Sequence, residues 1–185
     1  APGEQEDLSG VPFVGRAGQL LNKFLDAVDI PREDVYIANI LKCRPPKNRD
    51  PLPEEENACI EYLREQVKLI RPKVIVCLGR IAAKKLIDED YRITRQHGQW
   101  VEKSGIWMTA IYHPSALLRD LAKRPETFAD LLEIRNKARE LGINMVDAGH
   151  FETENIICEF LKDIAITIPG IRCEISDERS DYVFV

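Results

Sequence analysis

The sequence predicts an α/β protein: a mainly parallel central sheet sandwiched between helices in three layers. Two observations carry that expectation. Short β-rich runs alternate with stretches of helical periodicity from residue 16 to residue 141, the pattern that stacks helices on a parallel sheet. One of those runs, residues 73–78 (KVIVCL), is almost continuously apolar, as a strand covered on both faces should be.

Taken in order, residues 1–15 read as a loop rich in Gly and Pro. Pro2 and Gly3 make a turn, and Gly3 has no side chain to hold a ligand off the backbone. Glu6 and Asp7 are adjacent carboxylates, and Gly10, Pro12, Gly15 and Gly18 surround a single aromatic, Phe13. Such a stretch suits the display of a flat ring and bare backbone to another molecule. A Gly-rich loop capping a surface helix accounts for the same residues. From Arg16 the pattern turns helical, with Leu20, Leu21, Phe24, Leu25 and Val28 at three- and four-residue spacing.

Residues 29–31 break that helix. Residues 35–40 (VYIANI) are short and β-rich, as a buried strand should be, and reach Asn39 near their end. The carboxyl ends of parallel strands commonly line ligand crevices. Residues 43–53 form a loop rich in Pro and Arg. Residues 53–69 read as a helix, with Pro at its start and Glu54, Glu55 and Glu56 near the positive end of its dipole. Strand 73–78 leads through Gly79 into a short helix ending near residue 87. Residues 92–99 are polar and ambiguous. Residues 107–112 are a further strand that delivers His113, and Pro114 opens a helix. A basic break at 119–125 precedes a final helix over 126–141.

Gly142 marks a change of character. Beyond it come an expected strand at 143–146, a turn at 147–150, an amphipathic helix at 153–164, and short apolar runs at 171–175 and 182–185. Two units are therefore expected, 1–142 and a small α/β tail, 143–185. The net charge of −5 divides unevenly. The tail has Lys162, Arg172 and Arg179 against nine acidic residues, a net −6 that leaves residues 1–142 at +1. A near-neutral domain still binds DNA through a local basic face, so charge neither supports nor excludes nucleic acid. No apolar run approaches the roughly 20 residues that span a bilayer; the expectation is a monomeric cytoplasmic protein without membrane contact. Five cysteines without close pairing argue against a disulfide framework.

Three stretches point further. APGEQEDLSGVPFVGRAGQLL (residues 1–21), VYIANILKCRPPKNRDPLPEE (35–55) and YHPSALLR (112–119) resemble, in order, the three signatures of the family 4 uracil-DNA glycosylases. The resemblance covers about residues 1–142 and implies a uracil-DNA glycosylase of base excision repair, acting on uracil-containing DNA. It assigns roles position by position. Phe13 would stack on the flipped uracil, with Gly3 at the substrate and Asn39 reading the base edge. His113 would stabilise the departing anion, and Glu6 would hold water or the sugar. Leu117 would wedge into the gap left by the base. Arg119, with Lys123 and Arg124 nearby, would contact phosphate. The plainer readings are a core Phe, a turn Asn, a structural His, helix core for Leu117 and a solvated face for Arg119.

These roles match what the chemistry requires. Cleaving the glycosidic bond leaves positive charge on the sugar and negative charge on uracil, so donors must be aimed at the uracil oxygens. The base must first leave the stack. An Asn amide offers both a donor and an acceptor to a base edge.

The resemblance also implies a 4Fe-4S cluster, with Cys43 and Cys59 as two of four thiolate ligands. The other two are expected from a C-x-x-C pair lying before the first motif, so a cluster held by this sequence alone is expected to be incomplete. The loop over 42–56 has little apolar surface and is expected to depend on that cluster for order.

In the tail, DAGHFETE (147–154) resembles the carboxyl-terminal motif of the dinuclear-metal proteins of the GTP cyclohydrolase type-two-like family. That resemblance makes His150 and Glu154 metal ligands. Besides the enzyme, two alternatives stand: a catalytically incomplete DNA-binding remnant, and a metal-binding hydrolase-like module carried by the tail.

Overall fold

In the computed structural model, residues 1–143 and the strand Tyr182–Phe184 are described. The sheet is built around β2, Val74–Leu78, whose five residues are all buried. It pairs in parallel with β4, Ile106–Ile111, from Val74↔Trp107 to Leu78↔Ile111. Burial of alternate residues that point to opposite faces requires cover on both sides of the sheet. The outer strand β3, Val101–Lys103, is antiparallel to β4. Ser104 and Gly105 join them with φ of 52° and 79°, the pair of positive angles that closes a two-residue hairpin. On the other side lies β1, Val35–Ile37.

Between β1 and β2 sits β5, Tyr182–Phe184, parallel to both, giving the order β1-β5-β2-β4-β3. The sequence pattern assigns these residues to the tail. They instead belong with the first of two units, residues 1–144 with 180–185; the second is 145–179. An apolar run of four residues cannot declare its sheet from sequence. The unpaired backbone edges of two strands can, because each N–H and C=O there needs a partner. The remainder of the tail, including His150 and Glu154, lies outside the described residues.

The helices follow from their apolar stripes. In α2, Arg16–Ala27, Leu21 and Leu25 are fully buried. α3, Pro53–Ile70, opens with Pro at its first turn and three acidic residues, and buries Ile60 and Leu63. α4, Arg80–Leu86, and α5, Ile93–Gln96, lead to the hairpin. α6, Pro114–Arg119, packs on α2, and α7, Arg124–Glu140, buries Leu131 and Ile134. No helix of the described residues is long and apolar enough to cross a membrane.

Three elements differ from the sequence expectation. Residues Glu4–Ser9 form a helix, α1, inside the expected loop. Glu4, Glu6 and Asp7 fill its first turn, where the dipole favours carboxylates, and Gly10 closes it at φ 72°. Strand β1 stops at Ile37, so Asn39 lies two residues beyond it. The 42–56 loop has polar ties of its own. Arg49 makes a bidentate pair with Glu55 at 2.8 and 2.7 Å, Arg44 donates to Asn48 at 2.6 Å, and Arg80 pairs with Asp50. The Arg49 guanidinium, with the Leu52 N–H, pulls the Glu55 carboxyl down to about 2.

Candidate active site

Because β1, β5, β2 and β4 are parallel, their carboxyl ends share one edge. Asn39, Gly79 and His113 follow three of those strands. A cavity of about 410 Å³ opens there, lined by Phe13, Asn39, Gly79, Tyr112, His113 and Arg119 among others. That volume falls within the range of roughly 300–1,000 Å³ usual for ligand clefts.

His113 leaves β4 and caps α6. Its Nδ1 accepts the Ser115 N–H at 3.1 Å and lies 2.8 Å from the Ser115 hydroxyl. Burial, aided first by the amino group of Ala1 and then by Arg119, pushes the imidazole down to about 4, against the pull of Glu6. At neutral pH the ring is therefore uncharged. With Nδ1 accepting, its proton resides on Nε2. The result is a neutral hydrogen-bond donor in the wall of the cavity.

Phe13 holds a left-handed backbone, φ 58°, an uncommon state for a residue with a bulky side chain. Its ring centroid lies 5.8 Å from that of His113. Gly18 lets this happen: a Cβ there would lie 1.7 Å from the Phe13 carbonyl oxygen. Asn39 directs its backbone carbonyl to Lys42 Nζ at 3.0 Å. Its side-chain amide has no hydrogen bond among the described residues, so both ends of it remain available.

Not every expected residue joins this cavity. Glu6 lines a neighbouring cavity of about 330 Å³ that also reaches Asn39. Its Oε1 accepts the Gly15 N–H at 2.7 Å, tying α1 to the start of α2. Gly3 serves that tie, since a Cβ on it would lie 2.5 Å from Glu6 Oε2. Leu117 is 1% exposed. It faces core rather than solvent, because α6 begins at Pro114 and turns that position toward α2. The wedge expected at Leu117 is therefore absent from the surface in this structure. Arg119 does line the cavity.

Cys43 is exposed and Cys59 is half-buried. Lys42, next to Cys43, is held below its usual range by burial. The other described cysteine, Cys77, is fully buried in β2, and burial pushes its thiol up to about 12. A four-iron cluster takes four thiolates. The described residues offer two, and among them no group of three or more His, Cys, Asp or Glu is placed to hold a metal ion.

Sequence reasoning missed Gly79 and Ser115 as members of the site. Gly79, at φ 87°, donates its N–H to the Ile111 carbonyl at 2.8 Å. A lone Gly after an apolar strand was the available signal.

Comparison with known proteins bears on this arrangement. The family model described as the uracil DNA glycosylase superfamily matches residues 1–135. The chain belongs to that superfamily. It is 50% identical over 142 residues to a type-4 uracil-DNA glycosylase of Archaeoglobus fulgidus, covering 72% of this chain and 71% of that protein. A type-4 enzyme of Thermotoga maritima is 48% identical over 121 residues, covering 64% and 63%. One from Pyrobaculum aerophilum is 42% identical over 139 residues, covering 71% of each. Phe13, Asn39 and His113 all fall within the region that the family model matches.

Proposed function

We propose that this protein releases uracil from DNA by hydrolysing the N-glycosidic bond of deoxyuridine. One observation carries the reading: Phe13, Asn39 and His113, from three separate segments, line a single cavity at the carboxyl edge of the sheet. The superfamily membership and the named relatives support it.

The residues divide the work as follows. Uracil, turned out of the stack, lies against the Phe13 ring, which the left-handed backbone holds toward His113. The free Asn39 amide donates and accepts along the base edge and so selects uracil. As the glycosidic bond lengthens, negative charge gathers on the uracil oxygens. The Nε2–H of neutral His113 donates to the 2-oxo group, and this bond strengthens as the charge develops. An uncharged donor suits an anion that departs without taking a proton. Glu6 acts one step removed, by fastening the loop that carries Phe13.

The family resemblance implies a 4Fe-4S cluster, which would have a structural part, with Cys43 and Cys59 on its side of the domain. The described residues do not complete its ligand set, and no step above passes through it. Of the alternatives, a remnant without turnover has no observation among the described residues in its favour, and a metal module in the tail rests on residues outside them.

The test is release of free uracil from a uracil-containing oligonucleotide, with the thymine counterpart as control. Uracil release with the thymine strand untouched supports the reading. No release at substrate and enzyme excess refutes it for this chain.

A further inference from the structure

A base that leaves a duplex leaves a gap, and an apolar side chain pushed into that gap keeps the base from returning. With Leu117 in the core, that place is vacant. We propose that Leu121 fills it. This rests on the reading of the site as one that takes a base out of DNA.

Leu121 is 61% exposed, on the single 3-10 turn Leu121–Lys123 that follows α6. Arg119 and Lys123, on either side of it, both line the cavity. Arg119 has no hydrogen-bond or ion-pair partner among the described residues. Lys123 lies 5.3 Å above the Tyr112 ring and 3.0 Å from Asp120. The turn is also held from below: Asp120 Oδ1 accepts the Ala122 N–H at 3.2 Å, and Arg124 Nε donates to the Leu117 carbonyl at 3.1 Å. An exposed apolar tip between two cations that line the cavity fits a duplex, whose phosphates flank each base step.

A comparable side chain is Leu52, 43% exposed and next to the lining residue Pro51. Its neighbours are Asp50, Glu54 and Glu55. The cations nearest Leu52, Arg49 and Arg80, are already held by Glu55 and Asp50, whereas the Arg119 side chain is free for phosphate, and that difference selects Leu121 over Leu52. Val14, 37% exposed, adjoins one lining residue, Phe13, whereas Leu121 lies between two; neither Leu8 nor Val11 adjoins any.

The experiment uses a duplex with 2-aminopurine beside the uracil, whose fluorescence rises when the neighbouring stack opens. With the full chain and with Leu121→Ala, three readings are taken: duplex affinity, fluorescence rise, and uracil release from duplex and single strand. Leu121→Ala should bind the duplex within about threefold of the parent yet lose most of the fluorescence rise. Its release from duplex should fall tenfold or more, with release from single strand unchanged, and Leu52→Ala should behave as the parent. Full fluorescence and duplex activity in Leu121→Ala, or the same losses in Leu52→Ala instead, would overturn the proposal. The fluorescence arm needs no cleavage. A parent that opens the stack but releases nothing thus counts against the glycosylase reading and not against Leu121.

Discussion

A Cβ placed on Gly79 would lie 2.8 Å from the Cβ of His113. Side chains essentially never come so close, so the bare backbone of Gly79 is what admits His113 to its seat. Its φ of 87° adds a second demand for glycine. Gly79→Ala should lower Tm by roughly 2–12 °C, from about 1–3 kcal/mol of backbone strain. It should also displace the imidazole. Proton-resolved titration of His113 would then show its midpoint rising toward the ordinary histidine value, and single-turnover release would fall. On a His113→Ala background, Gly79→Ala should cost no further rate. An equal further loss would show that Gly79 acts on something else.

The environment of His113 makes a prediction about pH. Its proton affinity corresponds to about 4 in the folded protein against 6.5 for the ordinary side chain. Between those values the unfolded chain binds more protons than the folded one. The stability His113 contributes is therefore full above about 6.5 and is lost as pH falls toward 4. Urea unfolding should show the parent losing more stability than His113→Ala over that window. The single-turnover rate should have no inflection near 6.5. An inflection there would mean that the acting imidazole is solvated and titrates normally.

Glu6 offers a contrast between charge and tie. Gln retains an oxygen able to accept the Gly15 N–H, whereas Ala does not. Glu6→Gln should keep uracil release within about threefold of the parent, and Glu6→Ala should lower both release and the protection of the Gly15 amide from hydrogen exchange. A large loss in Glu6→Gln, with the amide still protected, would assign the carboxylate a direct part in the chemistry.

Asn39→Asp should weaken discrimination between uracil and cytosine. The amide donor becomes an acceptor, which favours the exocyclic amine of cytosine. Release of the two bases from matched oligonucleotides measures this. A variant still strict for uracil would place base selection in another group.

The central layout is legible in the sequence because its signals are local and strong. The apolar run of β2 announces a doubly covered strand, and the β-rich run of β4 delivers His113 two residues past its end. Phe13, Asn39 and His113 are readable from motif positions and share one cavity. What cannot be read depends on long-range geometry. Leu117 sits at a spacing that serves core or surface equally, and only the packing of α6 on α2 decides it. The tie from Glu6 to the Gly15 N–H is invisible in sequence because it needs residues 3–15 to fold back on one another. The partners of β5 are separated from it by more than a hundred residues. The ties of the 42–56 loop emerge only when Arg49 and Glu55 stand face to face.

The most direct test is single-turnover release of uracil by His113→Ala, with DNA affinity measured alongside. A preorganised donor acting on transition-state charge is typically worth about 3 kcal/mol. The variant should therefore bind uracil-containing DNA as the parent does and release uracil at least a hundredfold more slowly. An unchanged rate, or a loss confined to binding, would contradict the assignment of His113 as the group that stabilises the departing base.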